Sequence, residues 1–475
     1  MAHSLATGFA VDAARAIREK RLTSEALVRE CLARIESTQA TVNAYITVCA
    51  ESALVEARAA DDAVRAGMPL GPLHGVPFSV KDNLVTAGVR TTWGSRAFAD
   101  HVPERDATAV ARMRAAGGIL LGKTTTPEYA HSIGAWSELA GLTRNPWSAE
   151  HTAAGSSSGA AAAVAAGLGP LAVATDAGAS TRLPAACCNV VGLKPTTGLV
   201  PREEVPEAFA NMVHIGLIGR SVADVALALD VVSGEHAADP QSVGFAPTRA
   251  LDLLAKPASL AGRKVAWKAL FTNKRLDAEV RALCESALRS LRAAGAEIVP
   301  HDKPMDPPAP TWMTIQRCNW SLAIGDRYEE IKSRLEPSFA EGLKAGIDTS
   351  GTEITRALAK RTAFFRMVQG WFGEFDWLVT PVTSAPPIRV DQKMTEQLVI
   401  DGEPSGEIRA AWAPYLNLFN LSGHPAVSVP CGFTRAGLPV AVQIVGRWGS
   451  DAELMALAAL VEAGAGCVGR LPPTS

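Results

Sequence analysis

Three short segments of this chain put an amine, hydroxyls and small residues where proton transfer and acyl chemistry need them. In His74-Gly-Val-Pro-Phe-Ser-Val-Lys81-Asp82-Asn83, a strand-like run ends in a lysine with apolar neighbours upstream. In Gly155-Ser156-Ser157-Ser158-Gly159, a glycine-bounded serine run leads into an alanine-rich helix. Small residues there allow close backbone approach, and a helix start offers free N–H groups. In Thr175-Asp176-Ala177-Gly178-Ala179-Ser180-Thr181-Arg182, an apolar strand enters a tight turn of small residues and then a serine. Successive N–H groups in such a turn can converge on an anion, as an oxyanion hole requires. Asp176 and Arg182 are spaced to pair across the turn and hold its shape. Taken singly, each segment also has a plain structural reading: a surface lysine, a capping loop, a β-turn with an ion pair.

The surrounding pattern alternates strands and helices. Helical periodicity covers Glu25 to Ser37 and Glu51 to Ala66, within a first stretch that reads as helices. Val76 to Val80, Gly118 to Gly122, Leu171 to Thr175 and Val190 to Leu193 read as strands. Helices are expected at Ala107 to Ala116, Ala160 to Ala166, Val222 to Val232, Asp277 to Ala293 and Ala452 to Ala463. Further strands fall at Lys264 to Lys268, Trp377 to Thr380, Ala426 to Pro430 and Val440 to Val445. This alternation predicts an α/β fold with a mostly parallel or mixed sheet covered by helices on both faces.

Composition narrows the class. The 475 residues are 48% hydrophobic and 20% charged with a formal net charge of -2, the profile of a globular protein with a large core. No basic stripe suggests nucleic acid. The uncharged stretch Thr152 to Thr175 is Ala/Gly/Ser-rich and broken by Gly169-Pro170, so it is not expected to span a membrane. The N-terminus shows no signal-peptide pattern, and eight scattered cysteines show no metal spacing, so a cytoplasmic protein is expected.

Together the three segments resemble the amidase signature family, and the similarity extends over roughly residues 22 to 460. Flanking matches are Arg144-Asn-Pro-Trp147, Gly192-Leu-Lys-Pro-Thr196, Gly219-Arg-Ser-Val-Ala-Asp224 and Asn420-Leu-Ser-Gly-His-Pro425. The resemblance implies an amidohydrolase whose nucleophile is Ser180, whose bridging serine is Ser156, following a cis peptide bond, and whose base is Lys81. It places the oxyanion hole on the N–H groups of Ala177, Gly178, Ala179 and Ser180, supported by Asp176 and Arg182. With no linker that would cut the chain, a single α/β/α domain over residues 1–475 is expected, with N-terminal helices to about 70, a signature core over about 71–230 and an insertion-like cap segment over about 300–415. No cofactor and no metal are implied, and the expected partner is a small amide-type substrate, with the chain a monomer or homodimer. The family's commonest form has glycines where this chain has Ala154 and Ala179. If Ala179 needs a positive φ, alanine there would cost roughly 1–2 kcal/mol.

An ordinary lysine, pKa ~10.4, is charged at pH 7, and neutralising it there costs roughly 4.6 kcal/mol. Burial against apolar groups can remove most of that penalty. The mechanism therefore requires Lys81 to be buried, with Asp82 turned to the opposite side of the strand. Around it, Glu128, Ala130, His131 and Ser132 match a family segment near bound substrate, and Cys318 is a further candidate. Trp136, Trp312, Trp320, Trp371 and Trp412 lie in segments expected to wall the site. Amides, anilides, carbamates, ureas and esters all remain open as substrates. Three rival readings stand beside this one. Gly155-Ser-Ser157-Ser-Gly159 also fits a nucleophile elbow paired with His424, which needs a strand directly before the serine; Trp147 to Thr152 reads instead as a loop. The others are a non-catalytic binding protein and the amidase subunit of a tRNA-dependent amidotransferase.

Overall fold

Side chains alternate across a strand, so the register of the sheet decides which residues meet below it and which above. In the computed structural model, which describes residues 5–256 and 259–473, one sheet of 11 strands runs through the whole chain. Its strands are β1 (Tyr45–Val48), β2 (Pro77–Lys81), β3 (Ile119–Thr124), β4 (Leu171–Asp176), β5 (Val191–Lys194) and β6 (His214–Gly219). They continue with β7 (Lys264–Trp267), β8 (Glu297–Pro300), β9 (Trp377–Pro381), β10 (Ala426–Phe433) and β11 (Pro439–Val445). The order across the sheet is β1-β3-β2-β4-β6-β5-β10-β11-β9-β7-β8. β2 runs parallel to β3 and β4, and β7 parallel to β8 and β9, while the other neighbours are antiparallel. The sheet is mixed, and the domain is a single α/β unit.

Both faces are covered. On one, Phe78 and Val80 of β2 and Leu171 and Val173 of β4 pack with the helices Val222–Val232 and Asp451–Ala465. On the other, Ala172 and Ala174 of β4 pack against Ala160, Ala161 and Val164 of the helix Ser158–Ala165. That helix is buried along its whole length, which explains its run of small residues. A Cβ on Gly159 would lie 2.3 Å from the Ala44 carbonyl oxygen and 2.4 Å from the Thr125 nitrogen. The helix can approach β1 and β3 only because position 159 has no side chain.

Most expected elements are present within a residue or two; the differences have identifiable causes. β1 sits inside the stretch expected to be helical, because a strand of four residues carries too little periodicity to show. β6 contains two glycines and β8 is a four-residue edge strand, so neither stood out. Ser148–Thr152, expected as loop, pairs with Arg144–Asn145 in a separate two-stranded ribbon. The segment 300–415 supplies the helices Ala309–Ile324, Pro337–Ile347 and Gly351–Trp371 and also threads β9 into the main sheet. Gly159→Ala should lower stability by about 1–3 kcal/mol through overpacking, seen as an earlier urea midpoint. An unchanged midpoint would contradict the close approach.

Candidate active site

β2 and β4 are parallel neighbours, so Lys81 and Asp176 end them on the same edge of the sheet. Crevices beyond the carboxyl ends of parallel strands are where open α/β sheets hold ligands. Lys81 is completely buried, its Nζ 2.7 Å from Ser156 Oγ and 3.1 Å from Thr175 Oγ1. Asn83 Nδ2 donates to the same Thr175 hydroxyl at 2.8 Å. Burial pushes the Lys81 amine well below the ordinary lysine range; the Asp176 charge opposes this, and the Arg202 charge adds to it. Asp82 turns away, as strand alternation requires: its carboxylate accepts from Thr92 N–H at 3.1 Å and from the Thr92 hydroxyl.

Lys123 shows the difference between a buried structural lysine and this one. Its Nζ donates to Leu84 O, Thr86 Oγ1 and Thr91 Oγ1 at 2.5, 3.0 and 2.7 Å, and burial lowers it only to about 8. Lys81 meets two hydroxyls, and the nearer belongs to a serine.

Ser156 follows a cis peptide bond with Gly155 and precedes the Ser158–Ala165 helix. The neighbouring Ser157 points elsewhere, its Oγ donating to Thr175 O at 3.3 Å and its N–H to Ser180 O at 3.1 Å. His424 hydrogen-bonds Gln369 Oε1 at 2.9 Å among Phe365, Phe372 and Trp448, and burial lowers it to about 3. The elbow pairing of Ser157 with His424 is therefore overturned, because each is committed to different partners.

The turn after β4 is held from below by Arg182, which is fully buried and uses every N–H it has. Nε and Nη2 grip the Asp176 carboxylate at 2.9 Å each, and Nη2 also donates to Asn420 Oδ1 at 2.6 Å. Nη1 donates to Leu416 O at 3.0 Å and Gln443 Oε1 at 2.7 Å. Burial alone would raise the Asp176 carboxyl, but the Arg182 guanidinium holds it well below the usual carboxylate range. Above the pair, Asn420 Nδ2 donates to Asp176 O at 2.8 Å and Trp312 Nε1 to Ala177 O at 2.6 Å. Pinning those two carbonyls turns the N–H groups of Ala177 and Gly178 the opposite way, since a trans peptide points its C=O and N–H apart. Thr181 and Arg182 N–H groups bond Asp176 Oδ2 at 3.1 and 3.4 Å. Among the described residues, the N–H groups of Ala177, Gly178, Ala179 and Ser180 donate to no protein acceptor.

Gly178 is glycine for a steric reason: a Cβ would fall 2.8 Å from Trp312 Cζ2. Ala179 has no positive φ, so the anticipated strain there does not arise; the left-handed residue is Ala154, at φ 58°.

Ser180 and Ala177 floor a cavity of about 580 Å³. Its apolar wall is Trp93, Phe98, Tyr129 and Trp320, and its polar wall includes Arg202, Glu203 and Glu204. Of the residues expected near substrate, Ala130 lines this cavity; Glu128, His131, Ser132 and Cys318 do not. Glu128 instead accepts from Ser95 Oγ and from Glu336 N at 2.6 Å, and His131 Nε2 lies 3.0 Å from both Ser338 Oγ and Glu336 Oε2. They brace the wall from behind. Ser132 Oγ accepts from Gly134 N, and Cys318 is half-buried on the Ala309–Ile324 helix. Trp320 lines the cavity and Trp312 packs on its floor, but Trp136 is exposed, and Trp371 and Trp412 belong to separate cores. Sequence reasoning missed Trp93, Thr175 as a ligand of Lys81, and Arg202. The adjoining position of Thr175, directly before Asp176, was the one available signal.

Comparison with known proteins shows the family. A family model described as Amidase matches residues 26–455. An acylamidase of Rhodococcus erythropolis is 34% identical over 460 residues, covering 96% of this chain and 94% of that one. The A-type subunit of a glutamyl-tRNA(Gln) amidotransferase from a Synechococcus species is also 34% identical, over 93% of each chain. The crystal structure of a bacterial aryl acylamidase of the amidase signature family superposes with a TM-score of 0.88 at 27% identity, covering 97% of this chain and 96% of that one. The chain belongs to the amidase signature family. It is a hydrolase of amide C–N bonds.

A basic group buried neutral costs stability below its unfolded pKa. Lys81 binds fewer protons folded than unfolded, so its penalty is present at neutral pH and fades as pH rises toward ~10.4. Lys81→Met should therefore abolish activity yet raise Tm by a few degrees at pH 7, with a smaller gain at high pH. A lowered Tm across that range would contradict burial of a neutral amine.

Proposed function

We propose that Ser180 is the nucleophile, Ser156 the proton relay and Lys81 the base of this amidase. The observation that carries the reading is the 2.7 Å contact between the Lys81 amine and Ser156 Oγ, both completely buried. The neutral amine accepts the Ser156 proton as Ser156 accepts that of Ser180, whose oxygen bonds to the amide carbon. The carbonyl becomes an oxyanion facing the free N–H groups of the Ala177–Ser180 turn, each such donor contributing about 2.7–4 kcal/mol. The proton then returns through Ser156 to the amide nitrogen, the C–N bond breaks, and the amine leaves an acyl-Ser180 ester. Water attacks that ester with its proton taken along the same path. Among the described residues, no hydrogen bond joins Ser180 Oγ to Ser156 Oγ; the relay requires Ser180 to rotate toward it, a contact that tightens as substrate docks. The aromatic wall favours aryl or bulky apolar groups beside the scissile bond.

Equal identity to an amidotransferase component supports a second reading, in which the chain works within a tRNA-dependent complex. Turnover of small amides by the isolated chain favours the first reading; stoichiometric co-purification of partner subunits favours the second.

On a chromogenic anilide, Ser180→Ala, Ser156→Ala and Lys81→Ala should each lower kcat by about 10³-fold or more. The acidic limb of kcat/KM should lie well below the ordinary lysine range, and Arg202→Gln should move it to higher pH by removing a charge that lowers Lys81. Retained turnover in Ser180→Ala, or a limb near ~10.4, would end this mechanism.

A further inference from the structure

The cavity is lopsided in its unspent hydrogen-bonding groups. Among the described residues lining it, the buried side-chain atoms with no partner are Glu203 Oε2, Glu204 Oε2, Asn83 Oδ1 and Gln316 Oε1, against one side-chain donor, Arg202 Nη1. All five residues line the same space as Ser180. The Glu203 and Glu204 side chains are only 8% and 10% exposed. Arg202 Nε reaches Glu204 Oε1 at 3.2 Å, which leaves the second Glu204 oxygen open. The ion-pair partner of Glu203 is Arg105, 3.6 Å away on a side chain 64% exposed, and a solvated partner at that distance neutralises little. Two desolvated carboxylates thus share one buried guanidinium, and the side chains of this part of the wall are short of positive charge; the free N–H groups of the Ala177–Ser180 turn belong to the floor, beside the reacting serine. A neutral ligand would leave those oxygens unpaired, which is costly for ionised groups. A ligand carrying an ammonium group would complete them with charge-assisted bonds. Burial pushes the Glu204 carboxyl up against the pull of Arg202, and a bound cation would draw it back down.

We propose that Glu203 and Glu204 recognise a primary ammonium group carried by the substrate beyond the scissile amide, so that the enzyme selects amino-bearing amides with an otherwise apolar body. This selection rests on Ser180 being the reacting group of the same cavity. The apolar body packs on the aromatic residues of the cavity while the ammonium reaches the acidic ones.

The test uses three chromogenic anilides with acyl chains of equal length, ending in an amine, a methyl or a carboxylate. Each is measured on the same wild-type preparation and on Glu203→Gln, Glu203→Asp and the Glu203→Gln/Glu204→Gln double variant. Wild type should favour the amine over the methyl compound by about tenfold or more in kcat/KM, chiefly through KM. The double variant should bring that ratio close to one, with Glu203→Asp retaining most of it. Because the ratio compares two substrates on one preparation, loss of folded protein cancels. A preference for the carboxylate, or an amine-to-methyl ratio unchanged in the double variant, would overturn the proposal while leaving the Ser180 assignment intact. Turnover of all three anilides by Ser180→Ala would instead remove the assignment, and the proposal with it.

Discussion

An amine sealed from water beside a serine hydroxyl is the constraint around which this molecule is arranged. A lysine in that position is useful only if nothing restores its charge, and a carboxylate, Asp176, ends the very next strand. The fold resolves the conflict by giving Asp176 a different and stronger partner. Arg182 takes both carboxylate oxygens at 2.9 Å, and the negative charge is spent there. What reaches Lys81 is a weakened pull, outweighed by burial.

The same ion pair shapes the neighbouring turn. With Arg182 satisfied at every N–H and the Asp176 and Ala177 carbonyls pinned by Asn420 and Trp312, the backbone between them has one geometry available. Its N–H groups are left without a protein acceptor among the described residues. Buried ion pairs are weak evidence for stability, since desolvation offsets much of their attraction. Here the pair is better understood as fixing conformation: it sets the turn and removes a competing counter-charge in one arrangement.

How much of this was legible in the sequence depended on distance along the chain. Lys81, Ser156, Asp176, Ser180 and Arg182 sit in short local patterns of unusual composition, and the Asp176–Arg182 pair was readable because its members are six residues apart. The strands around them announced themselves as apolar runs. The cavity walls did not. Trp93 comes from a loop, Tyr129 from a single 3-10 turn, Trp320 from a helix much later in the chain, and Arg202 from a stretch with no periodic signal. Their convergence is a property of the sheet order, in which β4 lies beside β2 and β6, and no local pattern encodes that order. Glu128 and His131 illustrate the reverse error: they lie in the right segment but turn outward to hold the Pro337–Ile347 helix. Ala154 and Ala179 were similarly indistinguishable as letters, and only backbone angles separate the strained position from the relaxed one.

The protonation state of one side chain decides between this account and its alternatives, and nitrogen NMR reports it directly. With ¹⁵Nζ-labelled lysine, the Lys81 resonance is identified by its loss in Lys81→Met, which also separates it from the buried Lys123 and Lys194. At pH 7 a base buried neutral gives the chemical shift of an amine, turning to that of an ammonium at a pH well below the ordinary lysine range. A Lys81 signal that stays an ammonium at neutral pH and titrates near ~10.4 would contradict it.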